Sequence, residues 1–297
     1  MPTYNHTVTF QNPHITNDNF GPQIIELHRV LKELNDHSTC RHFIFDFRNI
    51  SFAMPIFLSG ITAISERLKT TGCKIELQNC SQRYFDRVCL CNAFRPEDHQ
   101  DWKQILESHQ GKTYLPIIDL SNSSNRQAID IKNQSLSSLS DIITERVELD
   151  IDHKMALKYF ISEITDNATD HSRTDRTFIF AQYYKLREYI DLCIIDNGIG
   201  IRGSYDLASI PVNNDMEAIQ KAVAGISTKG KERGYGIHTT MNAVVQGLGG
   251  KFALYSGLAL LTNTTMNETQ QPWQGTFLAL RIPKRTQGFR LYDYIAR

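Results

Sequence analysis

From Ile190 to Ile195 the chain reads Ile-Asp-Leu-Cys-Ile-Ile and runs straight into Asp196-Asn197-Gly198-Ile199-Gly200. So apolar a run is a buried strand, which places Asp196 at its end with glycines following at alternate positions. A carboxylate held there is a fixed hydrogen-bond acceptor, and glycines without a Cβ let a ligand come close to the backbone beside it. An amino-purine suits that arrangement, because its exocyclic amine can donate to the carboxylate. The competing reading is an ordinary Asp–Gly turn.

Three other segments bear on the choice. Met155, Ala156, Tyr159, Phe160, Ile164 and Ala168 recur at three and four residues, which predicts a long amphipathic helix ending near His171. Glu163 and Asn167 stand four apart on it and project side by side. A carboxylate and a carboxamide so placed can orient a water or hydroxyl and complete an Mg²⁺ shell through oxygen, although a solvated helix face has the same spacing. Farther on, Gly225-Ile-Ser-Thr-Lys-Gly-Lys-Glu-Arg-Gly-Tyr-Gly236 combines glycines, hydroxyls and three cations ahead of a predicted helix. Unpaired N–H groups at a helix start suit a di- or triphosphate; a surface loop with incidental charges is the plainer alternative. Gly275-Thr276 opens the final strand, where a small residue and a hydroxyl can approach the same site.

Order and spacing together resemble the GHKL superfamily of ATP-binding domains, found in gyrases, histidine kinases and anti-sigma-factor kinases. FISEITDNATDHS resembles its N box, IIDNGIGI and RGYGIHTT its two glycine boxes, and GTFLALRIP its closing strand, over about residues 150–285. The resemblance implies Glu163 as catalytic base or water-orienting residue and Asn167 as the Mg²⁺ ligand. Asp196 would take the adenine amine, with Gly198 and Gly200 closing under the base. Residues 201–233 would form the ATP lid, with Thr228, Lys229 and Arg233 toward the phosphates, Gly234 and Gly236 as the phosphate-side turn, and Thr276 on the adenine side. The cofactors implied are ATP and Mg.

Gly198-Ile-Gly200-Ile-Arg-Gly203 also fits the dinucleotide fingerprint G-x-G-x-x-G. That reading requires a helix directly after the glycines and an acidic residue about twenty positions on. The stretch 204–214 contains a proline and no helical period, so the expectation is against it. Walker A is absent from the sequence.

A length of 297 residues predicts two cores. The boundaries expected are an α/β domain over 1–110, a partly helical Ser/Asn-rich connector over 111–148, and the nucleotide domain over 149–297, an α/β (α+β) fold of the Bergerat sandwich type by the same resemblance. In the first of these, FIFDFRNISFAMPIFLSGITAISERLKTTGCKIELQNCS is similar to the STAS domain of anti-sigma-factor antagonists. That family's phosphorylated Ser opens the helix after the turn, where this chain has Ala53-Met54-Pro55-Ile56, leaving Ser51 and Ser59 as the nearest hydroxyls. The resemblance then implies a domain that docks a protein partner or dimerises.

Charge and cysteine content bound the rest. Thirty-two basic side chains balance 32 acidic ones, which argues against a bulk grip on nucleic acid or an anionic membrane. No long apolar run or leader is present, so the expectation is a cytoplasmic protein with no membrane partner. Five of the six cysteines (Cys40, Cys73, Cys80, Cys89, Cys91) precede residue 110 without a C-x-x-C pair, which suits buried free thiols better than zinc or disulfides. About fifteen residues follow Ile282, too few for a transducer domain in cis, and 111–150 holds no His. The reading is a regulatory protein that binds Mg·ATP and acts on a partner as a serine-kinase-like enzyme or ATPase switch. The alternative is a non-catalytic nucleotide-sensing scaffold.

Overall fold

The computed structural model describes residues 5–11, 20–50, 53–80, 83–88, 90–97, 99–121, 126–147, 149–171, 176–228, 236–284 and 287–295. The fold is mixed α/β, with one parallel and one antiparallel sheet. Strands β1 (Asn5–Thr9), β2 (His42–Asp46) and β3 (Lys74–Gln78) form a three-stranded parallel sheet in that order. Helices α1 (Gly21–Asp36) and α2 (Pro55–Thr70) make its crossovers. Short helices α3 (Arg83–Arg87) and α4 (His99–Ser108) follow.

Strand β4 (Ile118–Ser121) then begins a five-stranded antiparallel sheet of order β4-β5-β6-β8-β7, with β5 at Arg176–Tyr184, β6 at Tyr189–Asp196, β7 at Lys251–Thr262 and β8 at Met266–Pro283. Between these run α5 (Arg126–Val147), α6 (Ile151–His171), α7 (Gly200–Leu207), α8 (Asp215–Val223) and α9 (Gly236–Asn242), the last continuing into a π-helical turn over Ala243–Gly247.

Helix α2 joins the two sheets. It begins with Pro55 at its first positions, where no intrahelical N–H is lost, and carries Arg67 and Lys69 in its last turn, where cations favour the helix dipole. Every residue from Pro55 to Glu66 is buried, as a helix apolar all round requires. It packs on β5 and β6, and its apolar residues share one core with Phe45 of the parallel sheet and with Phe178, Phe180, Cys193 and Ile195 of the antiparallel one. The intervening positions Ile179, Ala181, Leu192 and Ile194 belong to a second core beneath α6. Period-two alternation sends neighbouring side chains to opposite faces, so helices on both faces explain why all eight residues of β6 are buried.

Four expectations change. The segment 111–148 is partly helical as expected, through α5, but it also supplies the edge strand β4 of the antiparallel sheet. The stretch 204–214, read as lacking a helical period, begins inside α7 (Gly200–Leu207), which at eight residues is too short for its periodicity to stand out in sequence. Because α7 starts at Gly200, a helix does follow the glycines, and its expected absence no longer speaks against a dinucleotide fold. The topology replaces it: β6 runs antiparallel to both β5 and β8, whereas the dinucleotide unit is a parallel βαβ. Finally, β8 begins at Met266 and not at Gly275, because the hairpin with β7 continues through register shifts near Gly257.

Ser59, one of the two hydroxyls near the start of α2, is fully buried and is not open to a kinase; Ser51 lies outside the described residues. No described helix is long and apolar enough to cross a membrane.

Candidate functional site

At the C-terminal end of β6 the chain turns so tightly that two glycines are required. An ideal Cβ at Gly275, whose φ is +83°, would lie 2.1 Å from the Asp196 carbonyl oxygen and 2.6 Å from the Gly198 nitrogen. At Gly200, φ +73°, it would lie 2.7 Å from Ser256 Oγ. The turn is locked through Ser256, which donates to the Gly275 carbonyl at 2.8 Å and accepts the Ile201 N–H at 2.9 Å.

Asp196 is buried at this turn. Its Oδ1 accepts the Gly198 N–H at 2.8 Å, and its carboxylate also accepts the N–H and the hydroxyl of Thr276. Removal from water dominates nonetheless and pushes the carboxyl up to about 7.

A cleft opens beside Asp196, with an empty volume of about 820 Å³ that includes the solvent at its mouth. Ile164 and Ala168 of α6, Ile194 of β6, Leu254 of β7 and Leu278 of β8 give it apolar walls, while Asp196, Thr276, Ser204, Thr228 and Asn167 bring polar groups to it. Apolar walls with a few convergent polar groups are the usual form of a small-molecule site. The opposite wall comes from α7 and the end of α8. There the Tyr205 hydroxyl donates to the Ile226 carbonyl, and burial pushes that phenol up to about 12, so it remains a donor.

Glu163 and Asn167 lie where α6 meets the start of α9. An ideal Cβ on Gly236 would come within 2.6 Å of Glu163 Oε2 and 2.9 Å of Asn167 Nδ2, so a larger residue there would push these two side-chain ends aside. Below them His238 Nδ1–H donates to the Val223 carbonyl and its Nε2 accepts from Asn242 Nδ2 at 3.0 Å, tying α9 to the end of α8.

Of the residues singled out from sequence, Asn167, Asp196, Gly200, Thr228 and Thr276 line the cleft. Gly198 touches Asp196, and Glu163 and Gly236 stand together at the α6–α9 contact. Lys229, Arg233 and Gly234 lie outside the described residues. Ser256 and Tyr205 escaped the sequence reading. A lone hydroxyl ending the apolar stretch Phe252–Tyr255 was the available signal for Ser256; Tyr205 gave none, because α7 itself was not foreseen. His153, buried within α6, is held by Asp150 Oδ1 at 2.8 Å and is not presented to solvent.

The residues fit a purine nucleotide in their chemistry: a cleft with apolar walls and a buried acceptor, Asp196, in its lining. For a metal, no group of three or more His, Cys, Asp or Glu among the described residues could hold one. Magnesium, which keeps several waters and takes few protein ligands, is compatible with Asn167 as a single side-chain ligand. No protein-family model matches the chain, and no curated protein matches it.

Proposed function

We propose that this chain binds Mg·ATP in the cleft beside Asp196 and uses it to act on a protein partner, as a GHKL-type nucleotide domain joined to a STAS-like layer. The observation that carries the reading is Asp196 itself. A carboxylate kept buried against its desolvation cost, in the lining of a cleft with apolar walls, is arranged to receive a donor from a planar ligand. Ile194 and Leu278 would face the base, and Thr276 holds the carboxylate in orientation. Asn167 would hold magnesium at the phosphate end. Glu163, beside it, is the group placed to orient a water or hydroxyl and accept its proton. When bound, ATP supplies the transferable phosphoryl group.

The buried state of α2 supports a regulatory reading of the first layer over a substrate in cis, because the start of the helix that carries the phosphoacceptor in STAS domains is packed and, among the described residues, lacks an exposed hydroxyl. A protein kinase or ATPase switch is the reading favoured by the Glu163–Asn167 pair. The non-catalytic sensor differs from it in one measurable respect, single-turnover ATP hydrolysis with magnesium. Glu163→Gln should lower the rate at least about a hundredfold while leaving nucleotide affinity nearly unchanged. Hydrolysis or transfer that does not depend on Glu163 overturns the catalytic assignment, and ATP that does not shift the melting temperature overturns the site.

A further inference from the structure

We infer that Asn197 is a positioning residue, through which helix α2 of the parallel-sheet layer sets the Asp196–Gly200 turn. This rests on the nucleotide reading above and adds a regulatory element to that site. Asn197 follows the buried carboxylate, but its side chain points away from the cleft, and its Nδ2 donates to the Ala63 carbonyl at 2.9 Å, in the middle of α2. A helix carbonyl keeps a second lone pair for such a bond. From the other side Gln274 Nε2 donates to the Asn197 carbonyl at 3.0 Å. The residue between Asp196 and Gly198 is thus held both by the first layer and by β8.

A second grip lies one helical turn along. Glu66 of α2 pairs with Arg176, which also approaches Asp119 of β4 at 3.5 Å. Arg176 immediately precedes Thr177, and Thr177 is the register partner of Asp196. Helix α2 therefore holds two adjoining strand ends, the start of β5 and the exit of β6, at the edge of the sheet where the cleft opens. Its first twelve residues are buried against both sheets, so a change in how the first layer seats on the antiparallel sheet is transmitted to Asn197. The coupling is reciprocal: a nucleotide that fixes the turn tightens the seating of α2, and a partner that shifts α2 alters nucleotide affinity.

The test uses the full chain and three forms: wild type, Asn197→Ala, and Ile64→Val, which trims a buried side chain of α2 while leaving the Ala63 carbonyl and Glu66 in place. ATP affinity is measured by calorimetry well below the melting temperature, and amide exchange is followed at Ala63–Arg67 and Gly198. Asn197→Ala should raise the ATP dissociation constant at least about fivefold, the low end of coupling between linked sites. It should also speed exchange at Gly198 without nucleotide, and abolish the ATP-induced protection of Ala63–Arg67 expected of wild type. Ile64→Val should lower the melting temperature and leave the dissociation constant unchanged, which separates positioning from loss of stability. Wild type that binds ATP, with Asn197→Ala binding it equally well, overturns this inference alone. Wild type that fails to bind ATP overturns the nucleotide reading, and unchanged Gly198 exchange in Asn197→Ala then overturns the positioning role as well.

Discussion

Replacing Asp196 by Asn separates what the carboxylate costs the fold from what it does for the ligand. With its carboxyl raised from an ordinary 3.8 to about 7, the folded chain carries a penalty of about 4 kcal/mol once the group is ionised, at about 1.4 kcal/mol per pH unit. The sign follows from which state holds the proton. Below about pH 4 both folded and unfolded carboxyls are protonated and the full stability is present. From about pH 4 to about pH 7 the unfolded chain ionises while the folded one does not, so stability falls, and above that range the loss is constant. An amide has no such titration. It does present an NH₂ where the carboxylate accepted the N–H of Gly198 or the N–H and hydroxyl of Thr276, at a cost of about 1–3 kcal/mol. Asp196→Asn should therefore be less stable than wild type at about pH 4, where the carboxyl has barely begun to cost the fold, and equal or superior to it at about pH 8. Urea unfolding of both proteins at whole pH steps reads the difference. Without the acceptor, the variant should also lose the stabilisation of about 2.7 kcal/mol that ATP at 100 times its dissociation constant gives wild type. Parallel pH profiles for the two proteins would refute the buried-carboxylate argument, and an undiminished ATP shift in the variant would refute the adenine contact.

Two further expectations concern the scaffold. Ser256→Ala strands the buried Ile201 N–H and removes the donor to the Gly275 carbonyl, so it should cost about 1–3 kcal/mol in chemical unfolding and weaken nucleotide binding with it; a neutral result would mean the turn is held elsewhere. Arg281 makes a bidentate pair with buried Asp191, Nε to Oδ1 at 2.7 Å and Nη2 to Oδ2 at 2.9 Å, and its guanidinium lies 4.1 Å from the Tyr189 ring centroid. Arg281→Met should cost about 3–5 kcal/mol by leaving a buried carboxylate unpaired, and adding Asp191→Leu should recover much of that, as measured by the same unfolding assay; a double variant no better than the single would show that the pair contributes more than mutual compensation.

The elements with long or strongly apolar patterns were legible in the sequence. Helix α6 and strand β6 lie where periodicity and punctuation place them, because burial of a continuous stripe or run leaves a mark on many residues at once. Helix α7 was not legible, since eight residues give barely two turns over which a 3.6-residue period can repeat. The four-residue β4 was hidden for a related reason: an edge strand is defined by its pairing with β5, and pairing leaves no local signature. In the site, Asp196, Asn167 and Thr276 could be named because their residue types carry the chemistry. Ser256 and Asn197 could not, because both act through backbone groups of distant segments.

The sequence by itself determined the local chemistry: a carboxylate at the end of a buried strand, glycines where the backbone must come close, and a carboxylate and a carboxamide one helical turn apart on α6. Those are properties of neighbours in the chain, fixed by residue type and period. Only the tertiary structure decided that α2 lies between the two sheets, that β6 is covered on both faces, and that Asn197 reaches Ala63 across 134 residues of sequence. Contacts of that kind depend on which surfaces remain to be buried once the helices and strands have formed, and that is a property of the assembled core.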